Sequence, residues 1–205
     1  MGLQYGRDYI HEALLSVRNQ QFMTDWEYII VDDGSVDGTL DRVLSGISSW
    51  PESVKDRVKI FRNDYSAGLA KASNFAVSKC RGKYVLRLDA DDVLELTALY
   101  DMYIALESAI RDDENVAACY SSYIRINETG DTIGINESIN NHPGCAMFLK
   151  NILNEIKFRD MEYAEGQDLY IRLMKNYRCI RHDKILWRYR KHGASKTAKN
   201  PDGPI

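Results

Sequence analysis

Apolar and polar positions along the first 126 residues alternate between two rhythms. Ile10, Leu14 and Val17 recur at helical spacing and predict a helix over 8–20. The run "WEYIIVDDGS" stays apolar until it meets two aspartates, the pattern of a buried strand entering a loop. Asp37 to Ile47 reads as a helix with Asp37 as N-cap and Leu40, Val43, Leu44 and Ile47 on one face. "RVKIF" reads as a strand, 67–79 as a helix striped by Ala70, Asn74 and Val77, and "KYVLRLDADD" as a strand that again ends in acids. A helix over about 95–110 and the strand "NVAACYSSYIRI" follow. This alternation predicts an α/β fold with a mostly parallel central sheet and helices on both faces. Such sheets bind ligands at the carboxyl ends of their strands. Both aspartate clusters fall there, on the same edge.

After about residue 120 the rhythm changes. "DTIGI" predicts a short strand, "NESINNHPG" a loop, and "CAMFLKNILNEI" a strand passing into a short helix. "EGQDLYIRLMKNY" predicts a helix with Leu169, Leu173 and Tyr177 inward, and "CIRHDKILWRYRKH" two short strands before a polar tail. With no internal repeat or linker, 1–205 reads as a single domain. About 1–120 forms a nucleotide-binding half, and about 121–205 the other wall of a cleft.

Composition changes this picture little. The chain is 44% hydrophobic and 28% charged, ordinary for a soluble globular protein. No stretch approaches the roughly 18 apolar residues of a membrane helix and no signal peptide is recognisable, so a cytoplasmic location is expected. Cys80, Cys119, Cys145 and Cys179 lie at least 26 positions apart, which fits reduced thiols better than a zinc or disulfide framework. Charge is more telling. Residues 169–199 hold ten Lys or Arg and one acid, whereas residues 1–168 hold 17 basic and 28 acidic residues. The basic end reads either as a solvated tail or as a surface for anionic lipid headgroups or diphosphates, at the inner face of a membrane.

The chemistry concentrates in the acids. G-x-G-x-x-G and G-x-x-x-x-G-K are both absent, so a nucleotide is not held in the Rossmann or P-loop manner. Carboxylates at a strand end can instead hold a hard divalent cation whose shell is completed by diphosphate oxygens. Asp89-Ala90-Asp91 suits that use, although any solvated acidic turn matches a bare D-x-D.

The wider context is more specific. "VDDGSVDGT" (31–39) followed by "GLAKASNFAVSKCRGKYVLRLDADD" (68–92) resembles the family 2 glycosyltransferases of the GT-A nucleotide-diphospho-sugar transferase fold. "CAMFLKNILNEIKF", "YAEGQDLYIRL" and "YRKHGASKT" continue the likeness, which covers roughly residues 5–197. The resemblance implies an inverting transfer from a nucleotide-diphosphate sugar, with a UDP-sugar favoured. The acceptor would be a glycan or lipid-linked molecule, in cell-surface polysaccharide synthesis and with no role for nucleic acid. It implies Mg²⁺ or Mn²⁺ on the D-x-D. Asp91 would be the metal ligand and Asp89 would bind ribose or metal. His192 would be a further ligand or diphosphate contact, and Asp92 a supporting carboxylate. Asp32, Asp33 and Ser35 would meet the nucleoside, with a loop-capping pair as the competing reading of the two aspartates, and Lys71 and Arg87 would face either phosphate or solvent.

Two departures from the family pattern stand out. Inversion by direct displacement needs a carboxylate to take the acceptor hydroxyl's proton, and the family places it on the Asp of a Glu-Asp pair. Here the pair reads Glu165-Gly166. Glu165 is the favoured base, Asp168 the competitor on the same helix face, and a weak or inactive enzyme the third outcome. The first strand is the other departure: Met1–Tyr5 supplies at most about five residues at roughly 3.3 Å each, so that strand is short or missing. Two further readings stay open: a nucleotide-sugar-binding relative without catalysis and, last, a sugar nucleotidyltransferase, whose Gly-rich basic N-terminal loop is not seen.

Overall fold

The computed structural model describes residues 2–3, 6–136, 146–161 and 164–193. The expected acceptor loop at 136–146, Cys145 and the tail beyond Gly193 fall largely or wholly outside the described residues.

The first half follows the predicted alternation closely. It comprises β1 (Gly2–Leu3), α1 (Ile10–Arg18), β2 (Tyr28–Asp32), α2 (Thr39–Ser48), α3 (Glu52–Lys55), β3 (Val58–Arg62), α4 (Leu69–Lys79) and β4 (Tyr84–Leu86). After these come β5 (Val93–Leu94), α5 (Ala98–Asp112), β6 (Val116–Ile126), β7 (Thr132–Asn136), β8 (Ala146–Leu149), α6 (Lys150–Ile156), α7 (Glu165–Leu173) and β9 (Arg178–Arg190). β1, β2 and β3 form a parallel sheet in that order, with Leu3 opposite Asp32 and Asp32 opposite Arg62. Among the described residues the first strand comprises two residues.

The remaining strands form a second sheet in the order β4-β8-β6-β9-β5, with β7 paired to β6. It is more antiparallel than the alternation suggested: only β6 and β9 run parallel within it. The reason is connection length. β6 returns into β7 through the tight turn at Asn127–Gly130, and a short turn can join only antiparallel strands. β9 returns only after β8, α6 and α7, so it can lie parallel to β6.

Two elements differ from expectation. The C-terminal segment is one strand of 13 residues, not two. Its pairing with β6 jumps from Ser121↔His182 to Ser122↔Ile185. The bulge leaves Asp183 and Lys184 outside the ladder, and such bulges interrupt an alternation without ending a strand. The predicted helix at 95–110 starts at Ala98, because Val93 and Leu94 pair with Arg188 and Trp187 as β5. At α2 the N-cap position belongs to Gly38, while the Asp37 carboxylate accepts hydrogen bonds from the Thr39 amide and hydroxyl. Leu44, expected on the buried face of α2, is half exposed; Val43 and Ile47 carry that face.

The core is continuous across both halves of the chain. Ile10 and Leu14 of α1, Ile30 of β2, Val43 of α2, Met102 and Leu106 of α5 and Trp187 of β9 form one cluster. Each such side chain contributes roughly 1.5–3 kcal/mol by burial. A second cluster joins Ala70 of α4, Phe148 of β8, Leu153 of α6, and Leu169 and Leu173 of α7. A cavity of ≈ 360 Å³ lies between β2 and β4, lined by residues including Val17, Tyr28, Ala76, Val77 and Leu86. Of the candidate site residues only Arg87 reaches it, so the cavity adjoins the carboxyl-end site through that residue.

Candidate active site

β2 and β4 deliver their acids to that end. Asp32 closes β2 and is fully buried. Its Oδ1 accepts the Ser35 amide at 3.2 Å, while its Oδ2 has no hydrogen-bond partner. Arg62 Nε approaches that oxygen to 3.4 Å without hydrogen-bond geometry. The buried Ser35 hydroxyl likewise lacks a partner. A buried carboxylate oxygen and a buried hydroxyl left unsatisfied at one strand end are costly in a folded chain. Their natural complement is a ligand carrying both donors and acceptors, as a nucleoside does.

Asp33 is occupied otherwise. Its carboxylate accepts hydrogen bonds from Asn63 Nδ2 (2.7 Å), Ser66 Oγ, and the amides of Ala67 and Gly68 (2.9 Å each). Burial pushes its pKa up, yet these four donors outweigh it and hold the carboxyl below its ordinary value. Of the two readings of Asp33, nucleoside contact and loop cap, these bonds display the second: the carboxylate clamps the loop 63–68 against the end of β2. Gly34 permits that approach: at φ 73° it lies so close that a Cβ would sit 2.7 Å from the Tyr65 carbonyl carbon.

The turn after β4 divides its acids by environment. Asp92 is buried and accepts the Arg190 amide at 3.0 Å. Burial, then the charges of Asp91 and Asp89, raise its carboxyl well above the ordinary range. It supports the turn rather than facing outward. Asp91 Oδ2 lies 2.9 Å from His192 Nε2, and the imidazole packs on Tyr9 with ring centroids 4.7 Å apart. Arg190, fully buried, ties the turn in place by donating to the Asp91, Asn127 and Glu128 carbonyls and to Glu12. Arg190 lies in the family-like "YRKHGASKT" segment, but its work as a buried tie is visible only in the fold, because an arginine in a basic stretch reads as solvent-facing.

Among the described residues no three acidic, His or Cys side chains converge as a ready metal cluster. The Asp91–His192 pair nevertheless presents one oxygen and one nitrogen donor at hydrogen-bond separation. A divalent cation with diphosphate oxygens or waters in its remaining positions fits such a pair.

Arg87 is the centre of the site. Its guanidinium donates to Asp89 Oδ1 from Nε (3.1 Å) and Nη2 (2.9 Å), to Asp89 Oδ2 from Nη2 (3.1 Å), and to Glu165 Oε1 from Nη2 (3.0 Å). It lies over the Phe158 ring at 5.3 Å. Burial would lower its pKa, but the Asp89 and Glu165 charges raise it further. Expected to face phosphate or solvent, Arg87 joins the D-x-D turn to Glu165 instead. Glu165 is buried and opens α7, directly after Ala164 in the left-handed region at φ 62°. A non-glycine residue held there is strained, and it launches the helix that brings Glu165 under Arg87.

The other candidates separate from this centre. Asp168 is taken by Arg172 (2.7 Å) and Arg159 (3.5 Å). Arg172 also donates to the Ile156 and Lys157 carbonyls, which makes Asp168 part of the joint between α6 and α7. Lys71 pairs with Asp160 at 2.7 Å on an exposed surface. Half of the basic run forms ion pairs within the chain: Arg172, Arg178, Lys184, Arg188 and Arg190 pair with Asp168, Asp113, Asp101, Glu95 and Glu12, although Arg178, Lys184 and Arg188 stay exposed.

Residues 5–157 match the family described as glycosyl transferase family 2. Chondroitin synthase of Escherichia coli is 36% identical over 125 residues, covering 61% of this chain and 17% of its own length. The UDP-Glc:α-D-GlcNAc-diphosphoundecaprenol β-1,3-glucosyltransferase WfgD of Escherichia coli is 29% identical over 123 residues, 60% of this chain and 44% of its own. The chain thus spans less than half of either relative. Among solved structures, S. aureus TarS 1–349 in complex with UDP-GlcNAc superposes with a TM-score of 0.74 at 22% identity, over 96% of this chain and 59% of that one. The mannosyltransferase PcManGT from Pyrobaculum calidifontis, in complex with GDP-Man and Mn²⁺, gives 0.71 at 19% identity, over 97% and 57%. The match over three quarters of the sequence and the shared architecture place the chain in glycosyl transferase family 2, with the GT-A fold.

Proposed function

We propose that this chain carries the catalytic unit of an inverting glycosyltransferase, moving a sugar from a nucleotide-diphosphate donor to a hydroxyl of a glycan or lipid-linked acceptor. The observation that carries the reading is the Asp89–Arg87–Glu165 chain, which links a buried carboxylate on α7 to the acidic turn after β4. In this reading Asp32 Oδ2 and Ser35 Oγ receive the nucleoside, and Asp33 holds the loop that closes on it. Glu165 takes the acceptor hydroxyl's proton as the new bond forms to the anomeric carbon and the bond to the diphosphate breaks on the opposite face. Mg²⁺ or Mn²⁺ at Asp91 and His192, with Asp89 beside them, would neutralise the charge left on the departing diphosphate. PcManGT with Mn²⁺ supports the cation, TarS and WfgD a uridine donor, and the diphosphoundecaprenol in the WfgD name a lipid-linked acceptor. Asp168 is not the base in this scheme, because Arg172 and Arg159 engage both of its oxygens, whereas Arg87 meets Glu165 at Oε1.

Gly166, where the family carries an aspartate, favours a second reading: a relative that binds the donor without turning it over. Incubation with UDP-glucose, UDP-N-acetylglucosamine and GDP-mannose, each with Mn²⁺ or chelator, separates the two. Cation-dependent release of nucleoside diphosphate is expected. Binding without release in every case would leave the non-catalytic relative, and neither binding nor release would remove both.

A further inference from the structure

Resting on that reading of the site, the inference concerns how its two halves communicate. Three of the four hydrogen bonds that Arg87 makes to carboxylates go to Asp89 and one to Glu165, and Nη2 is shared between the two acids. The guanidinium is largely enclosed, with 12% of the side chain exposed, and Glu165 is similarly enclosed at 9%. No other ion pair reaches Glu165 among the described residues. Beside Nη1 lies Gly166, whose missing Cβ would stand 3.4 Å away. The glycine therefore leaves beside Nη1 the space that a Cβ would fill, while Nη2 of the same guanidinium carries the bond to Glu165.

We propose that Arg87 couples cation binding at the D-x-D turn to the position of the base. A cation drawing on the Asp89 carboxylate and the Arg87 guanidinium on that same carboxylate repel one another at contact distance. Cation binding shifts Arg87 from Asp89 toward Glu165, into the room beside Gly166, and fixes the Glu165 carboxylate for the acceptor. Arg87 is thus a positioning residue that acts through Glu165. Coupling is reciprocal: if the cation strengthens the Arg87–Glu165 pair, that pair must strengthen cation binding by the same factor.

The test is a double-mutant cycle read by cation affinity rather than turnover. Mn²⁺ binding, alone and with UDP, is measured by electron paramagnetic resonance in the wild type, Glu165→Gln, Arg87→Gln and the double variant. Glu165→Gln leaves Arg87 to Asp89 alone and is expected to weaken Mn²⁺ binding about tenfold. Arg87→Gln removes the competitor and is expected to bind Mn²⁺ at least as tightly as the wild type. Adding Glu165→Gln to it should change affinity less than about twofold. An equal loss from Glu165→Gln in both backgrounds overturns the coupling. So does weaker binding in Arg87→Gln, which would place Arg87 on the ligand. Should Arg87→Gln fail to fold, unchanged affinity in Glu165→Gln alone suffices to reject the idea. A wild type that releases nucleoside diphosphate yet shows no coupling loses only this inference. A wild type that binds neither Mn²⁺ nor UDP loses the proposed function as well.

Discussion

Ser35 and Asp32 show what single atoms can indicate. A buried hydroxyl without a partner contributes nothing by hydrogen bonding and carries a desolvation cost. Ser35→Ala should therefore leave stability unchanged or raise it by up to about 1 kcal/mol, while nucleotide affinity falls about tenfold for one lost hydrogen bond of ~1.4 kcal/mol. Denaturant titration and calorimetry read the two effects separately. A loss of stability with no loss of affinity would mean that Ser35 packs rather than binds. Glu165 and Asp168 are three residues apart on one helix, yet the structure gives them different work. With donor and cation saturating, Glu165→Gln should cut turnover by roughly 10² to 10⁴. Asp168→Asn should leave turnover within a few fold and cost about 1–3 kcal/mol, because it strands Arg172 between α6 and α7. Kinetics and unfolding of the two variants decide between them, and the reverse pattern would make Asp168 the base.

At the scale of elements, the end of β2 and the start of α4 are joined through one carboxylate. Asp33 holds Asn63, Ser66, Ala67 and Gly68, so the loop before α4 depends on that group being ionised. Its pKa is lowered in the folded state. The unfolded chain consequently binds the proton more readily, and stability from this group is full above the unfolded value of about 3.9. It is lost as pH falls through the lower folded value. Asp33→Asn should remove that part of the acid dependence, flattening the acid limb of the stability profile and lowering stability at pH 7. An unchanged acid limb would show that other carboxylates govern acid unfolding. The bulge at Asp183–Lys184 works on the same scale. With the further one-residue shift between Ser122↔Ile185 and Tyr123↔Trp187, it offsets β9 by three residues, so that Trp187 lies in the core and Ile180 packs against it, which a regular alternation could not do.

For the molecule as a whole, charge is the property that folding redistributes most. The sequence places nine net positive charges in residues 169–199, which predicted attraction to anionic lipid. In the fold β9 runs beside the acidic half, and five of its neighbourhood's cations meet partners there. Of the described residues in that run, Lys175, Arg181 and Lys191 are exposed and lie outside these pairs, worth about 1 kcal/mol each near an anionic surface. The expected result in vesicle flotation at low salt is therefore a small preference for anionic over neutral vesicles that disappears near physiological ionic strength. Strong, salt-resistant retention on anionic vesicles would show that the paired cations rearrange at the membrane. No helix among the described residues is long and apolar enough to cross one.

Much of this protein was already legible in its sequence, wherever the determining interaction was local or periodic. The apolar runs at 28–32 and 116–126 are strands because their side chains are buried on both faces. The acids that follow β2 and β4 stop those runs where the backbone leaves the core. The family motifs read the same regularities, including the short first strand and the altered Glu165-Gly166 pair. Only tertiary structure could decide the rest, because the deciding contacts join residues far apart in the chain. Arg87 faces Glu165 across 78 positions and Arg190 reaches Glu12 across 178. No periodicity encodes such pairs. The same holds for β9, whose bulge exists only against β6, and for the division of labour among Asp32, Asp33, Asp91 and Asp92. Four aspartates of identical chemistry differ only in what surrounds them: an orphaned oxygen, four donors, an imidazole and a buried amide. Burial and partner geometry are properties of the folded chain, and they assign the roles.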